Sequence, residues 1–367
     1  MADLPVNTLV ALTGFAAGIA FGATAQRTNF CTMGAISDLV LMGSANRFRA
    51  WMLAIAVAML GSQGLHLAGV VDLNQSIYLT PNLGWFGAIV GGLLFGFGMT
   101  LTGGCGNKTL VRLGGGSLKS LVVFLVLAIT AYTTLRGLIG VPRMQLEQSA
   151  NLDLAKLGVA RQGLADLLAS ATGMGQTPLR LGLMLLSAGA LLYFCFKDAA
   201  FRAARRDIAA GLIVGALVVA GWLITGVVGK DEFEPTQLAS FTFVAPIGDM
   251  LQYLMTFTGA KINFGIAAGI GVIAGAFLAA YLTREFRVES FTDAPDMLRH
   301  ILGGAMMGVG GVLALGCTIG QGITGMSTLA LGSLIAWLSI MAGGYLGIKY
   351  LEEGSLAGAL RAVFARG

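Results

Sequence analysis

Three cysteines in this chain stand where an apolar run breaks. Thr28-Asn29-Phe30-Cys31-Thr32-Met33-Gly34, Leu101-Thr102-Gly103-Gly104-Cys105-Gly106-Asn107-Lys108 and Leu315-Gly316-Cys317-Thr318-Ile319-Gly320-Gln321 each set a thiol among small and polar residues. Each break follows one hydrophobic segment and precedes another. A neutral thiol is a weak hydrogen-bond donor, and a thiolate is a nucleophile. Nucleophilic work wants an activating neighbour, and none is apparent. No Cys-x-x-Cys is present, and the two histidines, His66 and His300, lie far from every cysteine in sequence. A metal site, a Cys–His nucleophile and a disulfide framework are therefore not expected. The fourth cysteine, in Tyr193-Phe194-Cys195-Phe196, has no polar break around it and reads as a small buried hydrophobe.

The residues beside the three thiols narrow the guest. Asn29, Thr32, Thr102, Gly104, Asn107, Thr318 and Gln321 flank them; such side chains either meet a solute or satisfy backbone freed where a helix is interrupted. No carboxylate sits at a break, and Asp38 and Lys108 are the nearest charges, both downstream. A cation path at depth would want carboxylates, so an anion or a neutral solute is expected. Short half-helices beginning after the breaks (32–41, 107–113, 321–331) aim N-terminal N–H groups at the thiols, an arrangement that suits an anion. A soft, sulfur-containing anion also accepts weak S–H hydrogen bonds. No cofactor is implied.

The elements that carry these breaks are set by composition. Of 367 residues, 56% are hydrophobic and 11% charged, with a mean hydropathy of +0.81; a soluble domain carries about 25% charged residues. The fold class expected is an all-α polytopic membrane protein, residues 1–367 forming a single integral membrane transport domain in the lipid bilayer. Fifty-five glycines suit close helix packing through small residues. The net charge of +5 reads as basic cytoplasmic loops and not as a nucleic-acid surface. No cleavable signal peptide is apparent before Asn7. Nine apolar spans of about the ~20 residues a bilayer needs cover 7–25, 51–71, 84–101, 120–139, 179–196, 208–228, 263–282, 301–315 and 328–348. Phe241–Phe257 is interrupted by Pro246, Asp249 and Gln252 and reads as a short or re-entrant element. Basic residues crowd the loops after the first, third, fifth, seventh and ninth spans, for example Arg47, Arg112, Arg202 and Arg287. That bias places the N-terminus outside and the C-terminus inside.

With this topology Cys31 and Cys105 enter from the inside and Cys317 from the outside. Loops dipping from both faces leave a narrow waist between two vestibules. Repeat-like units near 7–71, 84–139, 208–257 and 263–348 are expected, with a cysteine-free copy of the break at Gly221–Gly226 and a substrate site at the repeat interface. The polar stretch 143–177 predicts a surface helix at the outer face, stopped at Gly173–Gly175.

Phe-Cys-Thr-Met-Gly at 30–34, Gly-Gly-Cys-Gly-Asn at 103–107 and Gly-Cys-Thr-Ile-Gly-Gln-Gly at 316–322, in this order among nine spans, resemble the YeeE/YedE family of bacterial sulfur transporters. The resemblance runs from Gly14 to about Gly347. It implies an hourglass-shaped protein of the bacterial inner membrane that takes up thiosulfate ion. Cys105 is implied as the central thiol, with Cys31 and Cys317 on either side and transient S–H contacts in place of covalent change. A separate TusA-like cytoplasmic sulfur-carrier protein is the implied partner. Other sulfur or selenium compounds are alternative solutes. A membrane thiol enzyme, performing sulfur transfer or disulfide exchange, is the competing reading, and it leaves breaks on both faces without a purpose.

Overall fold

Hydrocarbon offers no partner to a backbone N–H or C=O, so each apolar run closes its hydrogen bonds internally as a helix. The computed structural model describes residues 5–231 and 236–364. Its helices are α1 (Val6–Thr28), α2 (Thr32–Leu41), α3 (Asn46–Leu67), α4 (Trp85–Leu101), α5 (Gly106–Gly114), α6 (Leu118–Arg136), α7 (Gly140–Ala150) and α8 (Leu164–Thr172). They continue with α9 (Gln176–Phe196), α10 (Ala199–Ala203), α11 (Arg205–Leu223), α12 (Val244–Met255), α13 (Phe264–Leu282), α14 (Ala294–Leu313), α15 (Leu331–Glu353) and α16 (Leu356–Phe364). Among the described residues the only strands are two-residue pieces, Asn82–Leu83 paired antiparallel with Leu152–Asp153. The fold is all-α and polytopic.

Among the described residues, eight helical stretches are long and apolar enough to cross a membrane. The eighth sequence span, 301–315, corresponds to α14, which starts seven residues earlier. Asp293 caps it by accepting the Asp296 N–H at 2.7 Å, and Pro295 follows in the first turn, where its missing N–H costs nothing. Those roughly two added turns carry Asp296, Arg299 and His300, so α14 is 20 residues long without matching the others in hydropathy. The last span shifts the other way: α15 runs on to Glu353 instead of stopping near 348.

One succession of elements recurs: a long helix, a break, a short helix and a long helix. It is seen in α1–α2–α3, α4–α5–α6 and α11–α12–α13, and again from α14 to α15 with a π-helical stretch, Gly320–Gly325, as the short piece. At 12 residues α12 is about 18 Å long, too short to cross ~30 Å of hydrocarbon. Here the break differs from the one expected at Gly221–Gly226. α11 instead runs on through a π-helical stretch, Ile224–Val228, and the short helix starts only at Val244, so that α13 closes this unit and does not open the next.

Glycine rows allow the closest crossings. α1 lies against α13, and a Cβ on Gly18 or Gly22 would collide with the carbonyls of Ala268 and Val272; one on Gly271 or Gly275 would strike Phe15 and Ile19. α4 lies against α15 in the same manner, through Gly96 on Ile340 and Gly343 on Leu93. Lipid tails are as apolar as leucine, so this contact is driven by packing of small residues and not by water exclusion. The polar stretch after α6 is two short helices, α7 and α8, where a single surface helix was expected. α8 does end at Gly173, which takes φ +72°.

Candidate functional site

Each of the three break cysteines occupies the N-cap of a short helix. The Cys31 carbonyl accepts from Ala35 N–H at 3.0 Å, that of Cys105 from Thr109 at 2.9 Å, and that of Cys317 from Gln321 at 2.8 Å. An N-cap carbonyl makes the first intrahelical bond while the N–H groups behind it stay open. The breaks ahead of the caps are sharp: Asn29 ends α1 at φ 52°, Gly103 takes φ +66° after α4, and Leu315 takes φ 57° after α14. The fourth short helix, α12, is capped in the same way by Phe243, whose carbonyl accepts from Ile247 N–H at 3.2 Å.

The thiols converge in the interior. Cys105 and Cys317 have no exposed surface and Cys31 has 5%. The side chains of Cys31 and Thr318 both neighbour the Cys105 thiol. Cys105 Sγ donates to Asn107 Oδ1 at 2.6 Å. Cys317 Sγ accepts the Gly320 N–H at 3.4 Å and lies beside the backbone of Phe243. Phe243 packs in turn within reach of Gly106 and against Phe21, ring centroids 5.3 Å apart. It supplies a rigid aromatic wall where the other three units supply sulfur. All four cysteines are free thiols. Cys195 stands apart, donating to the Arg49 carbonyl at 3.2 Å where α9 packs on α3.

Two cavities approach this cluster from opposite ends of the same helices. One, of about 350 Å³, is lined by Gly87 near the start of α4, Leu313 at the end of α14 and Ser333 at the start of α15, with Tyr78 and Gln321. The other, of about 590 Å³, is lined by Thr100 and Leu101 at the end of α4, His300 in the first half of α14 and Leu351 late in α15, with Asn29 and Lys108. Tyr78, in the first cavity, is within electrostatic reach of Cys317. Lys108 and Arg112, in the second, are within reach of Cys31. Cys317 thus lies on the side of the first cavity, and Cys31, with Cys105 as its neighbour, on the side of the second.

The flanking residues divide between these places. Asn107 and Thr318 are fully buried beside Cys105, and neither the Asn107 amide nitrogen nor the Thr318 hydroxyl makes a hydrogen bond of normal geometry. Gln321 faces the first cavity, its Nε2 donating to the Ala314 carbonyl while its Oε1 has no partner. Asn29 is exposed in the second cavity, where it accepts from Lys108 Nζ at 3.0 Å. Thr32 turns toward Trp51 and Trp337. Thr102 is committed to backbone, donating to the Gly104 carbonyl at 2.8 Å. At Gly104 a Cβ would lie against the Lys108 stem, 3.0 Å from Cγ. From the sequence, Lys108 and Arg112 were expected only as charges downstream of a break, and Phe243 was not expected at the site at all. The first two were legible as the positions three and seven residues after Cys105, on the thiol-capped helix itself. Phe243 had no signal, since nothing in the sequence marks it as a cap.

A helical polytopic protein whose broken helices meet at a buried site between two opposed cavities belongs to the class of membrane transport proteins. The profile of the sulphur transport family matches residues 27–346, and the chain belongs to that family. It is similar to the thiosulfate transporter TsuA of Escherichia coli K12, 25% identical over 94% of this chain and 92% of that protein. It is equally similar to the thiosulfate transporter TsuA of Spirochaeta thermophila, 25% identical over 91% and 96% of the two chains. The probable transporter YedE of Salmonella typhimurium is 34% identical over 26% of this chain and 22% of its own.

Proposed function

We propose that this protein carries thiosulfate inward across a bacterial inner membrane, with its N-terminus outside and its C-terminus inside. The solute passes Cys317, Cys105 and Cys31 in turn without covalent change. The single observation that carries this reading is the cluster of three buried thiols, each where a short helix begins, between two cavities. Open N–H groups at three helix starts favour an anion. The terminal sulfur of thiosulfate accepts S–H, and the free Asn107 amide and Thr318 hydroxyl face the same guest. Each contact is weak, so the anion is held at no station firmly enough to stop.

Transport, and not thiol catalysis, is favoured by the imidazoles. His66 bonds near Val71 and Asp72, and His300 near Asp296, so neither touches a cysteine. The loop charges support the orientation. The four-fold succession of helix, break, short helix and helix is taken as a set of repeat units within one integral membrane domain. A separate TusA-like sulfur carrier is the proposed acceptor on the inner side.

The test is uptake of sulfur-labelled thiosulfate in cells lacking other importers, at matched expression. Cys31→Ala, Cys105→Ala and Cys317→Ala should each lose most uptake, Cys105→Ala above all, and Cys195→Ala should keep it. Normal transport by Cys105→Ala would sink the thiol mechanism. A silent wild type would remove thiosulfate as the solute and turn attention to other sulfur or selenium anions.

A further inference from the structure

Buried charge is costly unless it is paired, and three cations among the described residues test that rule. Arg180, 5% exposed, faces Asp166 at 3.5 Å. Lys349, also 5% exposed, is paired with Glu352. Lys108, 9% exposed, has one neutral partner, the Asn29 amide oxygen at 3.0 Å, and among the described residues no carboxylate lies within ion-pair distance of it. One helical turn on, half-buried Arg112 lines the same cavity. It donates only to the Thr102 carbonyl, at 3.4 Å, and no carboxylate pairs with it either.

The carboxylates lining that cavity are paired elsewhere or exposed. Asp296 is held by Lys119 at 2.7 Å, Arg299 at 2.9 Å and His300 at 3.3 Å. Glu285 and Glu289 are exposed. Two cations of α5 thus share the end of the cavity nearest Cys31 with no counter-charge. The lysine stem lies against Gly104.

We infer that Lys108 and Arg112, with the Asn29 amide, form a binding subsite for a small doubly charged oxyanion at the inner end of the cavity, next to Cys31. The guest supplies the missing counter-charge. Its oxygens take N–H bonds from the ammonium and from the guanidinium fork, while Asn29 releases Lys108 to it. The contacts are to oxygen, so the subsite takes sulfate as well as thiosulfate, unlike the thiol cluster, which reads the terminal sulfur. If thiosulfate moves as proposed above, this is the station at which it rests after leaving Cys31.

The experiment is equilibrium binding of radiolabelled sulfate to the purified full-length protein in detergent at low ionic strength. Wild type should bind saturably and lose affinity as salt rises. Lys108→Met should weaken binding at least about tenfold, as removal of a buried charge partner does, and Lys108→Arg should restore most of it. Arg112→Gln should weaken it by a smaller factor, and it carries the test should Lys108→Met not fold. Absence of saturable sulfate binding to wild type, or wild-type affinity in Lys108→Met or Arg112→Gln, overturns the subsite. The measurement needs no transport. Sulfate binding that depends on Lys108 stands even where thiosulfate uptake fails, and uptake with binding indifferent to Lys108 removes the subsite alone.

Discussion

Asn107 fixes the Cys105 thiol from inside the turn that Cys105 caps: Sγ donates to Oδ1 across 2.6 Å, and both residues are fully buried. The bond sets the rotamer of this thiol and leaves the amide nitrogen of Asn107 open. One side chain therefore orients the sulfur and offers a donor of its own.

Asn107→Ala should lower thiosulfate uptake by about tenfold, within the range expected for a lost buried hydrogen bond of roughly 1–3 kcal/mol. Asn107→Asp should be worse, because a carboxylate beside the thiol repels an anion. Uptake rates at matched expression decide this, with gel filtration to confirm folding. Wild-type transport by Asn107→Ala would show that the thiol needs no positioning.

The crossing of α1 and α13 should tolerate no added bulk. Gly22→Val forces its side chain into the Val272 carbonyl, and the overpacking should cost about 1–3 kcal/mol, read as an earlier thermal transition in detergent. Gly182, on the exposed side of α9, has open space where a Cβ would go. Gly182→Ala should be neutral or stabilising by roughly 0.5–1 kcal/mol. Equal effects of the two substitutions would refute the close-approach account.

Asp198 lies past the end of α9, outside the apolar span, and caps α10. Hydrogen bonds from the backbone N–H groups of Phe201 (3.2 Å) and Ala200 (2.8 Å), with Arg49 at 2.9 Å, hold its carboxyl below the usual carboxylate range. The folded state thus prefers the ionised form. Its stabilisation is complete above the ordinary value of about 4 and is lost as pH falls through the lower folded value. Thermal transitions followed from neutral pH downward should fall less for Asp198→Ala than for wild type. Identical pH profiles would remove Asp198 from the acid response.

Much of the fold was legible because the signals were local. The short helix at 32–41 coincides with α2, since the Phe30-Cys31-Thr32 break marks its cap within three residues. The short helix after Cys317 ended sooner than the expected 331, because Leu329 takes φ 61° and turns the chain into α15; a left-handed leucine carries no sequence signature. The start of α14 was missed because its first turns are charged, and hydropathy cannot see a helix that an Asp293 cap and a proline begin. The fourth break was misplaced for a related reason. Gly221–Gly226 has the composition of a break, but the chain there stays helical by widening to a π turn.

The sequence by itself determined that the chain is a polytopic helical membrane protein, broken three times at a cysteine. Hydrophobic length and the cost of unpaired backbone are properties of short segments, and both can be read from neighbours along the chain. The tertiary structure alone decided which breaks meet. Cys105 neighbours Cys31, 74 positions away, and Thr318, on the far side of the chain. Lys108 reaches Asn29 across 79 positions. Those distances depend on how glycine-lined helices cross, and a crossing is a property of two surfaces that no single stretch of sequence contains.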